Sequence, residues 1–309
     1  MLKYIAKRFM FMLLTLFIVV TATFFLIRLM PGSPFNDDQL SKEQIEILEE
    51  NYGLNEGIFT QYTRYMGNIL KGDLGQSFQT KKDVTTLISE RLPTTVKIGT
   101  QALVLGSSIG ILIGVVAALK RNTVWDYAST IVAVLGISVP SFVFAIMLQS
   151  TLGVNSDIFT VVYSRSNPFI SSILPTVALS VGVIATIARF MRTELIEVLG
   201  SDFVLLAEAK GIKTRSVILK HAIRNALTPV VTIVGPMTVG LLTGSTVIER
   251  IFSVPGVGSL LIDGILTNDY FVIVGVAMFY SILYLLALFI VDILYGVIDP
   301  RIRVAGGNS

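Results

Sequence analysis

Six long apolar runs, separated by polar segments, dominate the sequence. They cover residues 9–29, 98–119, 127–152, 170–188, 227–248 and 271–291. A bilayer core about 30 Å thick requires roughly 20 apolar residues of α-helix, so each run is long enough to cross a membrane. No run has an ionisable residue near its centre. The pattern therefore predicts an all-α integral membrane protein with six transmembrane helices.

The polar segment at residues 30–96 has the periodicity of short helices. Ser41 with Gln44 three residues later forms a capping-box pattern, which marks the start of a helix. A second helix, ending near Gly72, is predicted from apolar residues at helical spacing, which are Ile58, Phe59, Tyr62, Tyr65, Met66 and Ile69. This apolar face either packs on the ends of the spans or forms a docking surface for a protein outside the membrane.

The polar segment at residues 189–226 predicts a hairpin of two short helices. Ser201 or Asp202 can cap a helix over residues 203–210, and Gly211 suits the left-handed conformation that often follows a helix. So short a helix is marginal in water and needs a surface to pack on. A second helix over residues 214–227 should continue through Pro229 into the fifth span.

One side of the first hairpin helix is predicted to carry Phe203, Leu206, Ala207 and Lys210. This spacing is typical of a helix that lies in a groove of a partner protein. A basic loop that rests at the lipid headgroups explains the same residues equally well. The pattern alone leaves both interpretations open.

Small residues and prolines recur inside the spans. Gly106, Gly110 and Gly114 in the second span, and Gly240 with Gly244 in the fifth, predict close approach of neighbouring helices. Pro140 and Pro236 are expected to interrupt the third and fifth spans, which is tolerated where neighbours or cavity water satisfy the freed carbonyls. The residues predicted to line a pathway are Pro140, Phe142, Pro236, Gly240 and Gly244.

Composition and charge orient these spans. Hydrophobic residues make up 53% of the chain and charged residues only 15%, far fewer than in a soluble protein. With the N-terminus inside, 14 Lys and Arg residues lie on the inner side and two lie in the short outer loops. This bias predicts cytoplasmic termini, a cytoplasmic loop at 189–226 and an extracytoplasmic segment at 30–96. The first run is too long for a signal peptide and is interpreted as an uncleaved span.

Most catalytic and metal chemistry is disfavoured. The chain has no cysteine and a single histidine, His221, which cannot make a usual zinc site and is expected to be a hydrogen-bonded structural residue. Gly106-Ser107-Ser108-Ile109-Gly110 matches a nucleophile-elbow pattern, but its place within a helical span favours a packing seam. No P-loop motif occurs, so any ATPase must be another chain. Ionisable groups are absent from mid-span, which disfavours ion coupling and leaves a passive pore as an alternative.

Several short motifs occur in order along nearly the whole chain. They are Met30-Pro31-Gly32, Tyr52-Gly53-Leu54, Gly72-Asp73-Leu74-Gly75, Arg91-Leu92-Pro93-Thr94, Val139-Pro140-Ser141-Phe142, Ala207-Glu208-Ala209-Lys210-Gly211, His221-Ala222-Ile223-Arg224-Asn225-Ala226, Pro229, Glu249 with Phe252, Pro255-Gly256, Gly258 and Asp299-Pro300-Arg301. Together they resemble the inner-membrane permeases of binding-protein-dependent ABC importers, in particular the B-type subunit of oligopeptide and dipeptide permeases.

The resemblance implies an ABC importer permease in a bacterial cell membrane, with a peripheral span at 1–29, an extracytoplasmic cap at 30–96 and a core at 97–309. It also implies a C-type permease, two cytoplasmic ATPases and an extracytoplasmic peptide-binding protein as partners. Nucleic acid is not expected as a partner. ATP and Mg would bind to the ATPases, so this chain would be neither an enzyme nor a cofactor-binding protein. Related permeases carry nickel, but the spans offer no soft or imidazole ligands, which favours peptides.

The family's coupling loop corresponds to residues 189–226. The resemblance implies coupling residues Phe203, Leu206, Ala207, Glu208, Lys210 and Gly211, with loop support from His221, Arg224 and Asn225. In the broader superfamily the loop begins with Glu-Ala-Ala, whereas Leu205 and Leu206 occupy the first two of those positions here. Glu208 therefore does not inherit the role of that glutamate. The apolar face around Phe203, Leu206 and Ala207 is expected to carry the coupling.

Overall fold

The protein is described by a computed structural model that covers residues 2–29, 33–35, 41–155 and 158–298. The motifs Met30-Pro31-Gly32 and Asp299-Pro300-Arg301 lie outside these ranges. Within them the chain forms helices joined by turns, and the β-type pairing is an isolated bridge between Gln76 and Asp83. The predicted all-α class is confirmed.

The helices, in chain order, are α1 Leu2–Arg28, α2 Lys42–Asn51, α3 Ile58–Leu70, α4 Val84–Leu119, α5 Val124–Ser138, α6 Ser141–Leu148, α7 Ile170–Leu199, α8 Asp202–Ala209, α9 Thr214–Ser216, α10 Ile223–Gly244, α11 Thr246–Ile251, α12 Val257–Leu266 and α13 Tyr270–Ile298. Two π-helical turns extend these elements. Gln149–Gly153 continues α6, and Val217–Ala222 joins α9 to α10.

The six predicted spans correspond to five long apolar helices and one bent pair. The five long helices are Ile5–Arg28, Val84–Leu119, Ile170–Leu199, Thr214–Ile251 and Tyr270–Ile290. The third predicted span is instead two helices, Val124–Ser138 and Ser141–Gly153, which meet at an angle of 98°. Because Pro140 disfavours a helical conformation at Val139, which is extended here, the helix breaks at this dipeptide. The predicted interruption of the third span at Pro140 is confirmed.

Other helix ends differ from the ends of the apolar runs. Helix α4 begins at Val84, so the polar segment does not remain separate from the span up to residue 96 as predicted. Helix α7 continues to Leu199, past the predicted end at residue 188. Pro236 lies inside α10 without breaking it, contrary to the expected interruption. Helices α4 and α7 are longer than their apolar runs because polar residues can also be helical. Hydropathy identifies only the apolar part of each helix.

The chain divides into two compact units, Met1–Pro93 with Pro255–Ser309, and Thr94–Val254. In the first unit α1 packs along α13, and α12 also contacts α13. The apolar side of α3 packs into the same cluster, where Tyr62 and Tyr65 contact Phe24 of α1. Burial raises the pKa of the Tyr65 phenol, and the nearby Asp73 charge adds to the effect. This arrangement supports packing, rather than docking, as the role of that side of α3.

Local signals in the first unit are confirmed. Ser41 and Gln44 form the reciprocal capping box at the start of α2. Gly72 has a φ of +82° just past α3, and its amide donates to the carbonyl of Ile69. Both features satisfy backbone groups that a helix end leaves without partners.

In the second unit, α7 packs against α5, α6 and α10. Its buried residues Ile187, Met191 and Leu195 form a core with Ala222 and Ala226 of the helical path that follows the hairpin. This core connects the spans directly to the base of the hairpin.

A glycine seam joins α4 to α7. A Cβ atom added at Gly106 would lie 2.6 Å from the Val183 side chain, and one added at Gly114 would lie 2.6 Å from the Ala188 carbonyl oxygen. Gly110 makes an equally close approach to Ile187. The predicted close helix packing is confirmed here, and the Gly106–Gly110 motif is a packing seam. Gly240 differs, because no atom lies within 4 Å of a Cβ added there.

These two kinds of glycine predict opposite responses to alanine. Gly114→Ala should lower the free energy of unfolding by about 2 kcal/mol, because the backbone of α7 must move to accept the new methyl group. Gly240→Ala should raise it by about 0.5 kcal/mol, because alanine favours the helix and meets open space. Reversible unfolding of the purified chain in mixed micelles measures both values. Equal changes in the free energy of unfolding for Gly114→Ala and Gly240→Ala would contradict the close packing of α4 on α7 at Gly114.

Candidate functional site

The hairpin at residues 200–222 begins where α7 ends. Helix α8 runs from Asp202 to Ala209 and closes at Gly211, which has a φ of +75°. The Gly211 amide donates to the Glu208 carbonyl at 2.9 Å, and the Ile212 amide donates to the Ala207 carbonyl at 3.2 Å. This pair of bonds is a Schellman motif, which requires a left-handed residue and favours glycine. The role predicted for Gly211 as a helix terminator is confirmed.

The start of α8 differs from the prediction. Ser201 occupies the cap position, but its hydroxyl accepts no hydrogen bond from the first turn of α8. The hydroxyl instead donates to the Val198 carbonyl at 2.6 Å. Ser201 therefore fastens the turn to the end of α7 and does not cap α8 through its side chain.

Helix α8 presents most of its apolar side chains to the surface. Val204 alone is buried, at 2% exposure, whereas Phe203, Leu205 and Leu206 are 43%, 57% and 56% exposed. Ala207 is half-buried, and Glu208, Lys210 and Gly211 are exposed. The exposed apolar face contains Leu205, which the sequence pattern did not include. We call Phe203, Leu205 and Leu206 the α8 face.

Val204 supplies the anchor that the sequence pattern missed. Helix α8 contacts the π-helical turn Val217–Ala222, in which Val217 and Ala222 are buried. From Thr214 the chain continues through this turn into α10 as one helical path of 38 residues to Ile251. The predicted continuation through Pro229 is confirmed. A displacement of α8 would therefore act on the turn Val217–Ala222, which leads into α10.

The residues predicted to support the loop lie on the outside of this path. His221, Arg224 and Asn225 are exposed. His221 lies on the exposed side of a turn whose buried residues are Val217 and Ala222, and its expected role as a hydrogen-bonded structural residue stays a prediction. The π-helical geometry, which sequence spacing does not reveal, sets which side faces outward.

A buried ion pair ties α5 to α7 beside the hairpin. Arg192 Nε donates to Asp126 Oδ1 at 2.5 Å, and Arg192 Nη2 donates to Asp126 Oδ2 at 2.9 Å. The backbone amide of Asn122 also donates to Asp126 Oδ2, at 3.0 Å. The Asp126 side chain is 3% exposed and that of Arg192 is 30% exposed. Sequence reasoning missed this pair, although opposite charges at the ends of two predicted spans were a possible signal.

A second buried carboxylate lies in the same unit, at Glu249. Its side chain accepts hydrogen bonds from the hydroxyls of Thr95 at 2.8 Å and Ser245 at 2.9 Å. Its backbone carbonyl accepts from the Val254 amide. Glu249 therefore holds α4, α11 and the turn after α11 together. The sequence had indicated this residue only through the family resemblance.

The predicted pathway residues do not form a single surface. Pro140 lies at the 98° bend and lines an open cavity of about 300 Å³ with Ser141, Phe144 and Thr186. Phe142, Pro236 and Gly240 are exposed and lie outside this cavity. Gly244 ends α10, but its surroundings lie outside the described side-chain environments.

A larger cleft, of about 730 Å³, lies between α4 and α7. Several polar residues line it, including Lys97, Thr100, Gln101 and Ser108 of α4 and Thr176 of α7. Thr176 Oγ1 donates to Gln101 Oε1 at 3.1 Å. A polar row on an apolar helix typically faces a water-filled cavity or another protein helix. The sequence pattern missed this cleft because hydroxyl and amide residues lower the hydropathy of a long run only slightly.

The residues described by the structure contain no group of three or more His, Asp or Glu side chains suited to a metal ion. Ser108, the serine at the nucleophile position of the Gly106–Gly110 pattern, lies inside α4 and lines the cleft. The buried hydroxyl of its neighbour Ser107 has no hydrogen-bond partner among the described atoms. The features that could bind another molecule therefore include the exposed α8 face, the cleft between α4 and α7, and the cavity at the Pro140 bend.

Two family models together match most of the chain. Residues 110–304 match the binding-protein-dependent transport system inner membrane component, and residues 1–99 match the N-terminal part of such membrane components. The chain is 44% identical to a dipeptide transport system permease, DppB, of Lactococcus lactis subsp. cremoris, over 98% of this chain and 100% of the relative. It is 40% identical to DppB of Bacillus subtilis over 98% of this chain and 99% of the relative. It is 41% identical to the oligopeptide permease OppB of Haemophilus influenzae over 98% of this chain and 100% of the relative.

Solved structures agree on the fold. A chain of the inward-facing MetNI methionine ABC transporter matches with a TM-score of 0.58 at 18% identity, over 70% of this chain and 97% of that chain. A chain of an amino acid ABC transporter matches with a TM-score of 0.52 at 15% identity, over 68% of this chain and 93% of that chain. The predicted importer permease fold is confirmed. The chain therefore belongs to the family of binding-protein-dependent transport system inner membrane components, in the branch that contains the DppB and OppB permeases.

Proposed function

We propose that the chain is the B-type permease subunit of an ATP-driven importer of oligopeptides or dipeptides. It forms half of a translocation pathway beside a C-type permease. Two cytoplasmic ATPases bind ATP and Mg, and an extracytoplasmic binding protein delivers the peptide. The observation that carries this proposal is the similarity to DppB and OppB, which extends over 98% of this chain.

The α8 face is proposed as the binding site for the ATPase. Phe203, Leu205 and Leu206 expose apolar area on a short helix, and a groove on a partner would cover it. Ala207, Glu208 and Lys210 border this face, and Gly211 ends the helix that carries it. His221, Arg224 and Asn225 form the exposed side of the return arm and are proposed to contact the rim of the groove. Closure of the ATPases on ATP then moves α8, and Val204 transmits the motion to α10.

The proposed topology follows the charge bias. Both termini and residues 189–226 lie in the cytoplasm, residues 1–29 form a peripheral span, and residues 30–96 lie outside with the first turns of α4. Residues 97–309 form the permease core. This placement puts the hairpin on the same side as the ATP supply and the α2–α3 cap on the same side as the binding protein.

The cleft between α4 and α7 and the bend at Pro140 are proposed to contribute walls of the pathway. The cleft offers hydroxyl and amide groups that can exchange hydrogen bonds with a peptide backbone. Four further residues remain proposed lining residues of the pathway, namely Phe142, Pro236, Gly240 and Gly244. The first three are exposed in this chain, so a partner permease could face them across the pathway.

Cross-linking and transport test this proposal together. Because the chain contains no cysteine, Leu206→Cys introduces a single thiol. In the assembled importer this thiol should cross-link to an ATPase, and vesicles should take up peptide only when ATP and the binding protein are both present. Vesicles that contain this chain alone should show no peptide flux.

The outcomes separate the alternatives. Peptide flux through the chain alone would support a passive pore and contradict the proposal. ATP-dependent uptake of Ni²⁺, without uptake of peptide, would favour a metal importer of the same family. Intact transport without any cross-link from position 206 would contradict the role of the α8 face while leaving the peptide cargo in place.

A further inference from the structure

A third cavity, distinct from the cleft and from the cavity at the bend, lies between α5 and α7 near the hairpin. It encloses about 370 Å³ and is lined by Ser129 and Thr130 of α5 and by Arg189, Arg192 and Thr193 of α7. Its remaining walls are small apolar residues, including Ala117, Ala133 and Ala188. The cavity thus combines two guanidinium groups and three hydroxyls with an apolar floor.

The charge in this cavity is not balanced. Arg192 is neutralised by Asp126, to which it donates through Nε and Nη2. Arg189 is exposed, and no carboxylate among the described side chains lies within ion-pairing distance of it. The hydroxyls of Ser129, Thr130 and Thr193 donate their hydrogens to carbonyls of their own helices, so the attraction for an anion comes from the Arg189 guanidinium and not from these hydroxyls. The cavity therefore carries a net positive charge.

The surroundings of the cavity indicate a lipid as the source of a matching anion. Trp125 and Tyr127, at the same end of α5, are 61% and 62% exposed. Lys120 Nζ lies 5.0 Å from the centre of the Trp125 ring. Exposed tryptophan and tyrosine with basic residues at the end of an apolar helix are typical of the membrane–water interface. Basic pockets between transmembrane helices at this level bind phosphate headgroups.

We propose that the cavity between α5 and α7 binds the phosphate group of an anionic lipid, with Arg189 as the residue that contacts the phosphate. Arg192 lines the cavity and is held in place by Asp126. The apolar floor accommodates the glycerol and upper acyl carbons, which free phosphate lacks. The bound lipid would then lie against α7 close to the start of the hairpin.

Native mass spectrometry of the full chain in detergent tests this site with two lipids that share acyl chains. Phosphatidylglycerol should be retained about fivefold more than phosphatidylcholine, the ratio expected for one basic residue at a lipid surface. Arg189→Gln should abolish this preference, and Arg189→Lys should keep part of it. Arg215→Gln, which removes the same charge from α9, serves as the matched control and should leave the preference unchanged.

Each outcome decides the proposal. Loss of the preference in Arg189→Gln alone supports the site, provided that the variant keeps the melting temperature of the parent chain. Equal retention of both lipids, or a preference that survives Arg189→Gln, overturns it. Displacement of phosphatidylglycerol by excess inorganic phosphate, with phosphate itself bound, would assign the site to a soluble phosphate and overturn the lipid as its source.

Discussion

Replacement of Leu206 with aspartate should lower ATP-driven transport by the assembled importer by about thirtyfold. Truncation or charging of an anchor residue at a protein interface typically costs about 2 kcal/mol or more, and each 1.4 kcal/mol is a factor of ten. Leu206 is 56% exposed in the isolated chain, so the substitution removes little packing within the chain itself. The melting temperature of purified Leu206→Asp should therefore remain close to that of the parent chain.

The size of this effect follows from the coupling role proposed for α8. Moving a two-state equilibrium from 1:99 to 99:1 requires about 5.5 kcal/mol of differential binding. Exposed charges provide little of this, because exposed ion pairs contribute about 0–1 kcal/mol each. If α8 binds an ATPase as proposed, Phe203, Leu205 and Leu206 supply most of the binding free energy. Loss of one of the three should then weaken this contact and uncouple ATP hydrolysis from transport.

A matched leucine makes the test specific to α8. Leu219 is 55% exposed on the π-helical turn, outside the α8 face. Leu219→Asp should retain most of the transport rate, since it adds the same charge to the hairpin without altering the α8 face. Peptide uptake and ATP hydrolysis are measured in parallel on vesicles of each variant. Equal losses in the two variants would show that any charge on the hairpin disturbs transport and would contradict the proposed role of Leu206.

Local chemistry made the hairpin predictable from the sequence. Gly211 ends α8 because its left-handed backbone is unfavourable for residues with a Cβ atom, and the same reason holds for Gly72 after α3. The capping box at Ser41 and Gln44 likewise depends on residues three positions apart. The close packing at Gly106, Gly110 and Gly114 was predictable from their spacing on one helix. The identity of the helix that packs there, α7, was not predictable. The glycine stops and the capping box were therefore dependable local signals, whereas the side-chain cap expected at Ser201 did not form.

Features that depend on contacts between distant residues were not predictable. Asp126 and Arg192 are 66 positions apart, and their pairing depends on how α5 packs on α7. The burial of Val204 and the exposure of His221 depend on a π-helical turn whose hydrogen-bond register leaves no sequence pattern. Proline at positions 140 and 236 gave the same signal, yet only Pro140 coincides with a bend. Tertiary packing decides which proline breaks its helix.

Replacement of Arg192 with leucine should lower the free energy of unfolding by about 3 kcal/mol, the largest loss of stability that we expect from one side chain in the second unit. Removal of one partner of a buried ion pair typically costs about 3–5 kcal/mol, because the other charge stays buried without compensation. Asp126 is 3% exposed, so this penalty applies to it. The lower end of the range is expected because Arg192 itself is 30% exposed.

The single tryptophan of the chain makes the measurement local. Trp125 precedes Asp126 at the start of α5, so its fluorescence reports the separation of α5 from α7. In Arg192→Leu, the Trp125 transition should occur at a lower temperature than in the parent chain. Lys213→Leu, which removes an exposed basic residue from the hairpin, should leave the transition in place.

A double-mutant cycle separates the ion pair from the packing of the arginine stem. Asp126→Leu combined with Arg192→Leu should recover more than about 1.5 kcal/mol relative to the sum of the single losses, because the double variant buries no uncompensated charge. Additive losses would show that the two residues stabilise the chain independently. Recovery would show that the bidentate contact holds α5 against α7 at the end where the hairpin begins. On the proposed coupling role, a displacement of α8 would then act on α10 through the turn Val217–Ala222 without separating α5 from α7.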